Sequence, residues 1–306
     1  MSDAEPGSDA SPADATTDRA DSPLRRRGRA FAARFRQNNL AMGGLVVTTG
    51  FLLIALLAPV LAPYDPAAVE VPARLQGPSL AHPLGTDTRG RDLFSRVLFG
   101  ARIALQVAVA TPLVAGAVGV PIGLVAGYVG GRVDDALMRL MDSIFAFPAI
   151  LLGLTLVAVF GQSLTNIVAA LGIVYIPQFA RVTRGSAVSV VEEEHVRVAR
   201  SLGASHFRIL LVHVLPFCLS AILVQATVTA ALAIVLESSL SFLGVGVPSP
   251  RPSWGSILRV GKGYVDSGEW WYSVFPGVAI VIAVLGFNLL GDGLRDVLDP
   301  RTDPNR

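Results

Sequence analysis

The chain has 306 residues, of which 52% are hydrophobic and 16% charged, and its mean hydropathy is +0.57. A soluble domain carries roughly 25% charged residues, so this composition favours a protein that folds in a lipid bilayer. The net charge of +2 and the scattered arginines argue against nucleic-acid binding. The single cysteine, Cys218, excludes an intrachain disulfide and a thiolate metal cluster.

The N-terminal region begins with a polar stretch. Residues 1–23 are rich in Ser, Asp, Ala, Pro and Thr, a composition typical of disorder, and we expect a cytoplasmic tail. An arginine-rich segment follows and leads into an apolar run at 40–62. This run is too long for the apolar part of a cleavable signal peptide, which has about 7–15 residues. It predicts a first transmembrane helix within a region, 24–102, that also contains an outer segment.

Further apolar runs predict the rest of the membrane domain. A crossing needs roughly 20 mainly apolar residues. The domain is expected over 103–300, followed by a short tail at 301–306. We therefore expect an all-α integral membrane protein with about six transmembrane helices. The five further spans are predicted at 103–127, 140–160, 167–179, 217–237 and 274–290.

The distribution of basic residues predicts the orientation. With the N-terminus inside, the cytoplasmic segments hold seventeen Lys and Arg residues and the outer segments hold eight. Cytoplasmic loops carry the excess of such residues, so both termini are expected inside. Within the second span, Gly119, Gly123 and Gly127 recur at a spacing of four. Small residues on one helix face predict a close helix–helix contact.

The loop between the fourth and fifth spans has a helix–turn–helix pattern. Glutamates at 192–194 suit the positive end of a helix dipole, and Gly203 suits a left-handed C-terminal cap. A second helix is predicted from near Ser205 to Pro216. An exposed apolar stripe on the first helix would favour a partner groove, or would lie on lipid or on the protein's own helix ends. That stripe is formed by Val196, Ala199 and Leu202.

The same loop matches a known family pattern. Glu194, Ala199, Gly203 and the terminal His213-Val214-Leu215-Pro216 occur at its spacing, whereas Arg197-Val198 replaces the first two residues of its Glu-Ala-Ala triplet. The loop resembles the coupling loop of binding-protein-dependent ABC importer permeases, which docks on a cytoplasmic ATPase subunit. The resemblance implies a coupling role for Glu194, Arg197, Ala199, Leu202, Gly203, Ala204, Ser205 and Pro216.

Further motifs extend this resemblance over about 30–300, in order and at the family's spacing. They resemble the dipeptide, oligopeptide and nickel branch, and within it the second permease, which has a short outer loop. The motifs are His82-Pro83-Leu84-Gly85-Thr86-Asp87, Phe145-Ala146-Phe147-Pro148, Glu237-Ser238-Ser239-Leu240 and the C-terminal Phe287-Asn288-Leu289-Leu290-Gly291-Asp292.

The resemblance implies a permease subunit of an ATP-driven importer for small peptides or related solutes, located in the cell membrane. Its implied partners are a second homologous permease, two cytoplasmic ATPase subunits and an extracytoplasmic substrate-binding protein. ATP and Mg²⁺ are expected on the ATPases, with no cofactor and no catalytic site on this chain, which has no Gly-x-x-x-x-Gly-Lys-Ser/Thr phosphate loop. The alternative is a self-contained secondary transporter or channel, which would show internal repeats and central charges.

Three polar residues within spans are candidate pathway or gate contacts. A carboxylate within a membrane is costly, so Glu237 favours a functional contact, unless it lies at the outer interface and caps the outer segment. Gln225 and Asn288 fit either the pathway or interhelical hydrogen bonds. The histidines at 195, 206 and 213 lack the spacing of a helical zinc site, so we expect no metal site.

Overall fold

The computed structural model describes residues 35–298, which fold into helices joined by irregular segments. The predicted tails at 1–23 and 301–306 lie outside the described residues. A short 3₁₀ turn occurs at Val71–Ala73, and a π-helical stretch, Ile209–Val214, lies within one of the long helices. The helices are α1 (Asn39–Leu61), α2 (Leu93–Val129), α3 (Gly131–Phe145), α4 (Ala149–Phe160), α5 (Leu164–Val191), α6 (Glu194–Ser201), α7 (His206–Leu243), α8 (Trp254–Gly261) and α9 (Trp271–Leu298).

Most of these helices suit a membrane. Within residues 35–298, α1, α2, α5, α7 and α9 are each long and apolar enough to cross a bilayer. The bent pair of α3 and α4 brings the number to six if it forms one span. The prediction of an all-α membrane protein with about six spans is therefore confirmed.

The third span differs from its prediction. Instead of one helix over 140–160, α3 and α4 meet at 85°. Phe147 precedes Pro148, and a proline disfavours helical geometry in the residue before it, so the helix ends there. Arg181 donates to Asp142 at 2.6 Å and Arg184 pairs with Asp134, so α3 lies beside α5. The apolar run alone concealed this bend, because hydropathy does not report direction.

Two helices are longer than their apolar runs. The fourth span was predicted at 167–179, but α5 continues to Val191, since Thr183, Ala187 and Val190 are buried against neighbouring helices. Helix α2 begins ten residues before the predicted 103. Its start is fixed by Asp92, whose Oδ2 accepts a hydrogen bond from the Ser95 amide at 2.7 Å.

The glycine face of α2 lies against α5, as predicted. A Cβ on Gly119 would lie 2.6 Å from the Ile176 carbonyl oxygen, and one on Gly123 would overlap the Ala180 carbonyl. A Cβ on Gly127 would lie 2.8 Å from the Cβ of Ala187. Backbone therefore meets backbone along this contact, which only glycine permits.

The chain order defines two ends of the bundle. The α8 end contains residues 62–92, 161–163 and 244–270, including α8 itself. The α6 end contains the turn at Gly130 and residues 192–205, including α6. Each end brings together segments that are far apart in the sequence.

Candidate functional site

Helix α6 ends in a well-formed glycine cap. Gly203 has φ +79°, its amide donates to the Arg200 carbonyl at 3.0 Å, and the Ala204 amide donates to the Ala199 carbonyl at 3.1 Å. This pair of bonds is a Schellman motif, which satisfies the last carbonyls of a helix and needs a left-handed residue. The predicted glycine stop is therefore present.

Helix α7 begins where the sequence indicated, but it does not end at Pro216. The Ser205 hydroxyl accepts from the Arg208 amide at 3.4 Å, and α7 runs from His206 to Leu243 without interruption. Proline cannot donate the bond of an ordinary helical turn. The π-helical stretch before it, in which the Leu215 amide donates to the Leu210 carbonyl, widens the turn and accommodates the ring. The α6 turn is consequently continuous with a membrane span.

The prediction that the apolar stripe of α6 is exposed was wrong for two of its three residues. Val196 is fully buried and Ala199 is 9% exposed, and Val196 packs with Val190, Ile209 and other side chains of α2, α5 and α7. These two residues pack against the ends of the protein's own helices, which was one of the alternatives, and they attach α6 to the bundle. Leu202 is different, because 82% of it is exposed.

Another apolar surface is exposed at this turn. Val198, Leu202 and Phe207 are 50%, 82% and 72% exposed, and we call these three residues the α6 surface. These side chains lie on α6, at its end and on the first turn of α7, and exposed apolar side chains there suit contact with another protein or with lipid. Leu202 belonged to the predicted set, whereas Phe207 was missed because it follows the glycine stop.

The other predicted coupling residues surround this surface. Glu194, Arg197 and Ser205 are exposed at the turn, Ala204 is half-buried, and Pro216 is exposed on α7. All eight predicted coupling residues lie on α6, on the Gly203 turn or on the first part of α7.

Three contacts that the sequence did not reveal hold the turn against the bundle. The Tyr128 hydroxyl at the end of α2 is 2.6 Å from Nδ1 of His206, and the Arg200 guanidinium lies 5.4 Å from the centre of the Tyr128 ring. His195 Nε2 is 3.2 Å from the His213 carbonyl oxygen, which links α6 to α7. The partners in the first contact are 78 residues apart, so no local pattern could indicate them.

Glu237 lies near the α8 end of α7 and is 1% exposed. Its carboxylate accepts hydrogen bonds from Ser241 at 2.6 Å and from Ser238 at 3.5 Å, both on α7. Ser253, the N-cap of α8, lies near this carboxylate. Glu237 therefore lies where the first turn of α8 packs closely on α7, since a Cβ on Gly255 would overlap the Ser238 carbonyl.

Gln225 joins two spans. Its amide donates to the Gln178 side chain on α5 at 3.1 Å and lies 3.1 Å from the Thr229 hydroxyl. Gln225 also lines a cavity of about 390 Å³ together with Arg295. Asn288 is exposed on α9. Gln225 and Glu237 are twelve residues apart on one helix, or about 18 Å, so the candidate pathway residues do not form a single site.

This fold and site define a class of protein: a multi-pass helical membrane protein with a structured helix–turn–helix at one end. The family model described as "Binding-protein-dependent transport system inner membrane component" matches residues 119–304. A second, "N-terminal TM domain of oligopeptide transport permease C", matches residues 27–78. The chain belongs to the first of these families and is the permease subunit of an ABC importer in the inner membrane.

Named relatives cover most of the chain. The dipeptide transport system permease protein DppC of Alkalihalophilus pseudofirmus is 42% identical over 268 residues, 88% of each chain. The probable D,D-dipeptide transport system permease protein DdpC of Escherichia coli is 40% identical over 86% of this chain and 88% of its own. The glutathione transport system permease protein GsiD of Pectobacterium atrosepticum is 40% identical over 92% and 93%.

A solved structure has a similar fold. A chain of the MetNI methionine ABC transporter superposes with a TM-score of 0.55 at 17% identity, covering 67% of this chain and 96% of that one. The predicted resemblance to the peptide branch of ABC importer permeases is confirmed by these comparisons, and the alternative of a self-contained transporter is set aside.

Proposed function

We propose that this permease forms half of a translocation pathway for small peptides or related solutes, the other half being a second homologous permease. Relatives at 40–42% identity carry dipeptide, D,D-dipeptide and glutathione transport names, which supports this class of solute. A binding protein outside the membrane delivers the solute, and two ATPase subunits, which bind ATP and Mg²⁺, drive its passage.

The exposed α6 surface is the observation that carries the coupling role. Three large apolar side chains are held on a turn that is fixed at both sides, by the Gly203 cap and by the Tyr128–His206 contact. A rigid apolar knob of this size suits a groove on a partner protein. The ATPase subunits dock on it, and α7 transmits their movement into the membrane because the turn and the span are continuous.

The orientation follows from the same assignment. The α6 end faces the cytoplasm, both termini lie inside, and the α8 end faces the binding protein, in agreement with the excess of basic residues in the predicted cytoplasmic segments. Gln225 and Asn288 contact the pathway or the paired permease. Glu237 acts as a positioning residue at the contact of α7 with α8, because Ser238 and Ser241 hold its carboxylate near the N-cap of α8.

Affinity purification of the tagged chain from its native membrane in mild detergent, followed by mass spectrometry, tests the proposal. We expect a second permease, ATPases and a binding protein, and a ligand held by the binding protein would identify the solute. Reproducible recovery of the folded chain alone would contradict the proposal.

A matched pair of variants tests the α6 surface. Leu202→Ser removes an apolar side chain whose burial is worth about 1.5–3 kcal/mol, so ATPase affinity should fall about tenfold or more. Leu80→Ser is the control, because Leu80 is fully exposed at the α8 end. Equal loss of ATPases from both variants, or from neither, would refute docking at this surface.

A further inference from the structure

A cavity of about 460 Å³ at the α8 end is unusually basic. Its walls come from the segment before α2, the beginning of α2, the turn after α7, and α8. Among the residues of 35–298 that line the cavity, there is no aspartate or glutamate. Five arginines line it: Arg89, Arg91, Arg96, Arg251 and Arg259.

One buried carboxylate compensates part of this charge. Asp87 is fully buried and accepts from Arg91 Nε at 2.6 Å, while Arg96 Nε lies 3.5 Å from it. Asp87 also accepts the backbone amides of Arg89 and Arg91. Its acceptor sites are thus occupied by the segment it belongs to, and it stabilises the two innermost arginines.

The remaining three arginines lack such a partner. Among the described residues, no carboxylate lies within 4.0 Å of the side chains of Arg89, Arg251 or Arg259, all of which are exposed. Arg259 lies over the C-terminal end of α7, where a Cβ on Gly244 would be 2.9 Å from its Cζ. The negative end of the helix dipole favours it there. Arg89 and Arg251 have neither form of compensation.

Arg96 adds a buried donor to the wall. It is 6% exposed, and Nη1 donates to the Pro66 carbonyl at 2.9 Å. Its Nε, although near Asp87, makes no hydrogen bond within the described part of the chain. Asp87 and the Pro66 carbonyl therefore hold Arg96 in place, and its charge adds to the positive potential of the cavity wall.

We propose that this cavity is an anion site that binds a carboxylate group. Guanidinium groups bind carboxylates through two parallel hydrogen bonds, and a concave wall of one charge concentrates the potential. The volume lies within the range of small-molecule sites, about 300–1,000 Å³. Ser256 and Gln162 supply neutral polar groups at the same wall.

The site deepens the proposed function and rests on its orientation, which places the cavity on the side where solute arrives. Two sources can present a carboxylate there. One is the C-terminus of the transported peptide, and the other is an acidic side chain of the binding protein.

The first arm of the test uses the assembled importer in nanodiscs, labelled with a fluorophore at Val260→Cys on the cavity rim; the native Cys218 is buried. Trialanine is titrated against trialaninamide, which lacks the carboxylate, at constant ionic strength. If the solute is the source, trialanine should saturate the signal at a concentration about tenfold lower than its amide does, and Arg89→Gln/Arg251→Gln should abolish the difference.

The second arm measures the affinity of the binding protein for the same nanodiscs in about 50 and about 300 mM sodium chloride, because salt screens exposed charges. If the binding protein is the source, the double variant should weaken binding about tenfold at low salt and flatten the salt dependence. The control, Arg132→Gln/Arg139→Gln, makes the same charge change on exposed residues of α3 and should alter neither arm.

Unchanged behaviour of Arg89→Gln/Arg251→Gln in both arms would overturn the anion site. Recovery of the ATPases with the double variant is measured in parallel. It reports on the importer assembly alone, so failure of the site and failure of the proposed function remain distinguishable.

Discussion

Replacement of Gly203 by valine should weaken ATPase docking through backbone strain alone. The residue has φ +79°, and no heavy atom lies within 4 Å of the position that a Cβ would take, so steric overlap is not the cause. A left-handed conformation costs an L-residue roughly 1–2 kcal/mol, and more when it is β-branched. If the turn relaxes to negative φ, the two cap bonds are lost and Leu202 moves relative to Phe207.

A strain of about 2 kcal/mol corresponds to roughly thirtyfold in an equilibrium constant, so ATPase affinity should fall about tenfold to thirtyfold. ATPase affinity should decrease in the order Gly (wild type), Asn, Ala and Val at position 203, since asparagine tolerates the left-handed region best among non-glycine residues. The assay is binding of purified ATPase subunits to the permease in nanodiscs, with the thermal midpoint of each variant measured beside it.

Gly268→Val is the matched control. Gly268 also has positive φ, +102°, and open space around a Cβ, but it lies at the α8 end. Its replacement should leave ATPase binding unchanged. Wild-type affinity for Gly203→Val, or an equal loss for Gly268→Val, would refute the assignment of the turn.

Three further outcomes are expected. Gly123→Leu should lower the thermal midpoint in detergent, because a Cβ there overlaps the Ala180 carbonyl. The control Gly277→Leu in α9 has open space around a Cβ and should leave the midpoint unchanged. Equal midpoints for the two variants would contradict the close contact of α2 and α5. Glu237→Gln should keep both stability and transport. Glu237→Leu should lower the free energy of unfolding by about 1–3 kcal/mol, because leucine leaves the serine hydroxyls without a partner. Loss of transport in a stable Gln variant would instead indicate a role for the charge. The Asp134–Arg184 pair should show a coupling free energy below about 1 kcal/mol in a double-mutant cycle, because the arginine is 39% exposed, and a larger value would show that α3 depends on it.

The parts of the α6 turn that the sequence predicted are those with local signals. A glycine cap, a serine N-cap and an acidic start each act within a few residues, so Gly203, Ser205 and Glu194 could be placed from their neighbours alone. Burial could not be placed in this way. Val196 and Leu202 are both apolar at helical spacing, and only the positions of α2, α5 and α7 decide that the first is buried and the second exposed.

Long-range features had no signal in the sequence. Pro148 marks the break between α3 and α4, but the 85° angle between these helices depends on the contact of α3 with α5. The basic cavity likewise depends on segments around Arg89 and Arg251 that are more than 150 residues apart. Half of the eight basic residues in the predicted outer segments lie around the start of α2, at 89, 91, 96 and 102. The structure gives part of this cluster a physical reason, because Arg96 is buried and Arg91 is paired with Asp87.

The unbroken course of α7 links the α6 turn at one end to the segment that carries α8 at the other. At 1.5 Å per residue, its 38 residues measure about 57 Å. A tilt of about 5° around one end therefore displaces the other by about 5 Å, comparable to one helical turn. The first turn of α8 packs on the far end of this helix, where a Cβ on Gly255 would overlap the Ser238 carbonyl. A small movement imposed on the α6 turn would therefore alter the width of the arginine-lined cavity without any intervening change of fold.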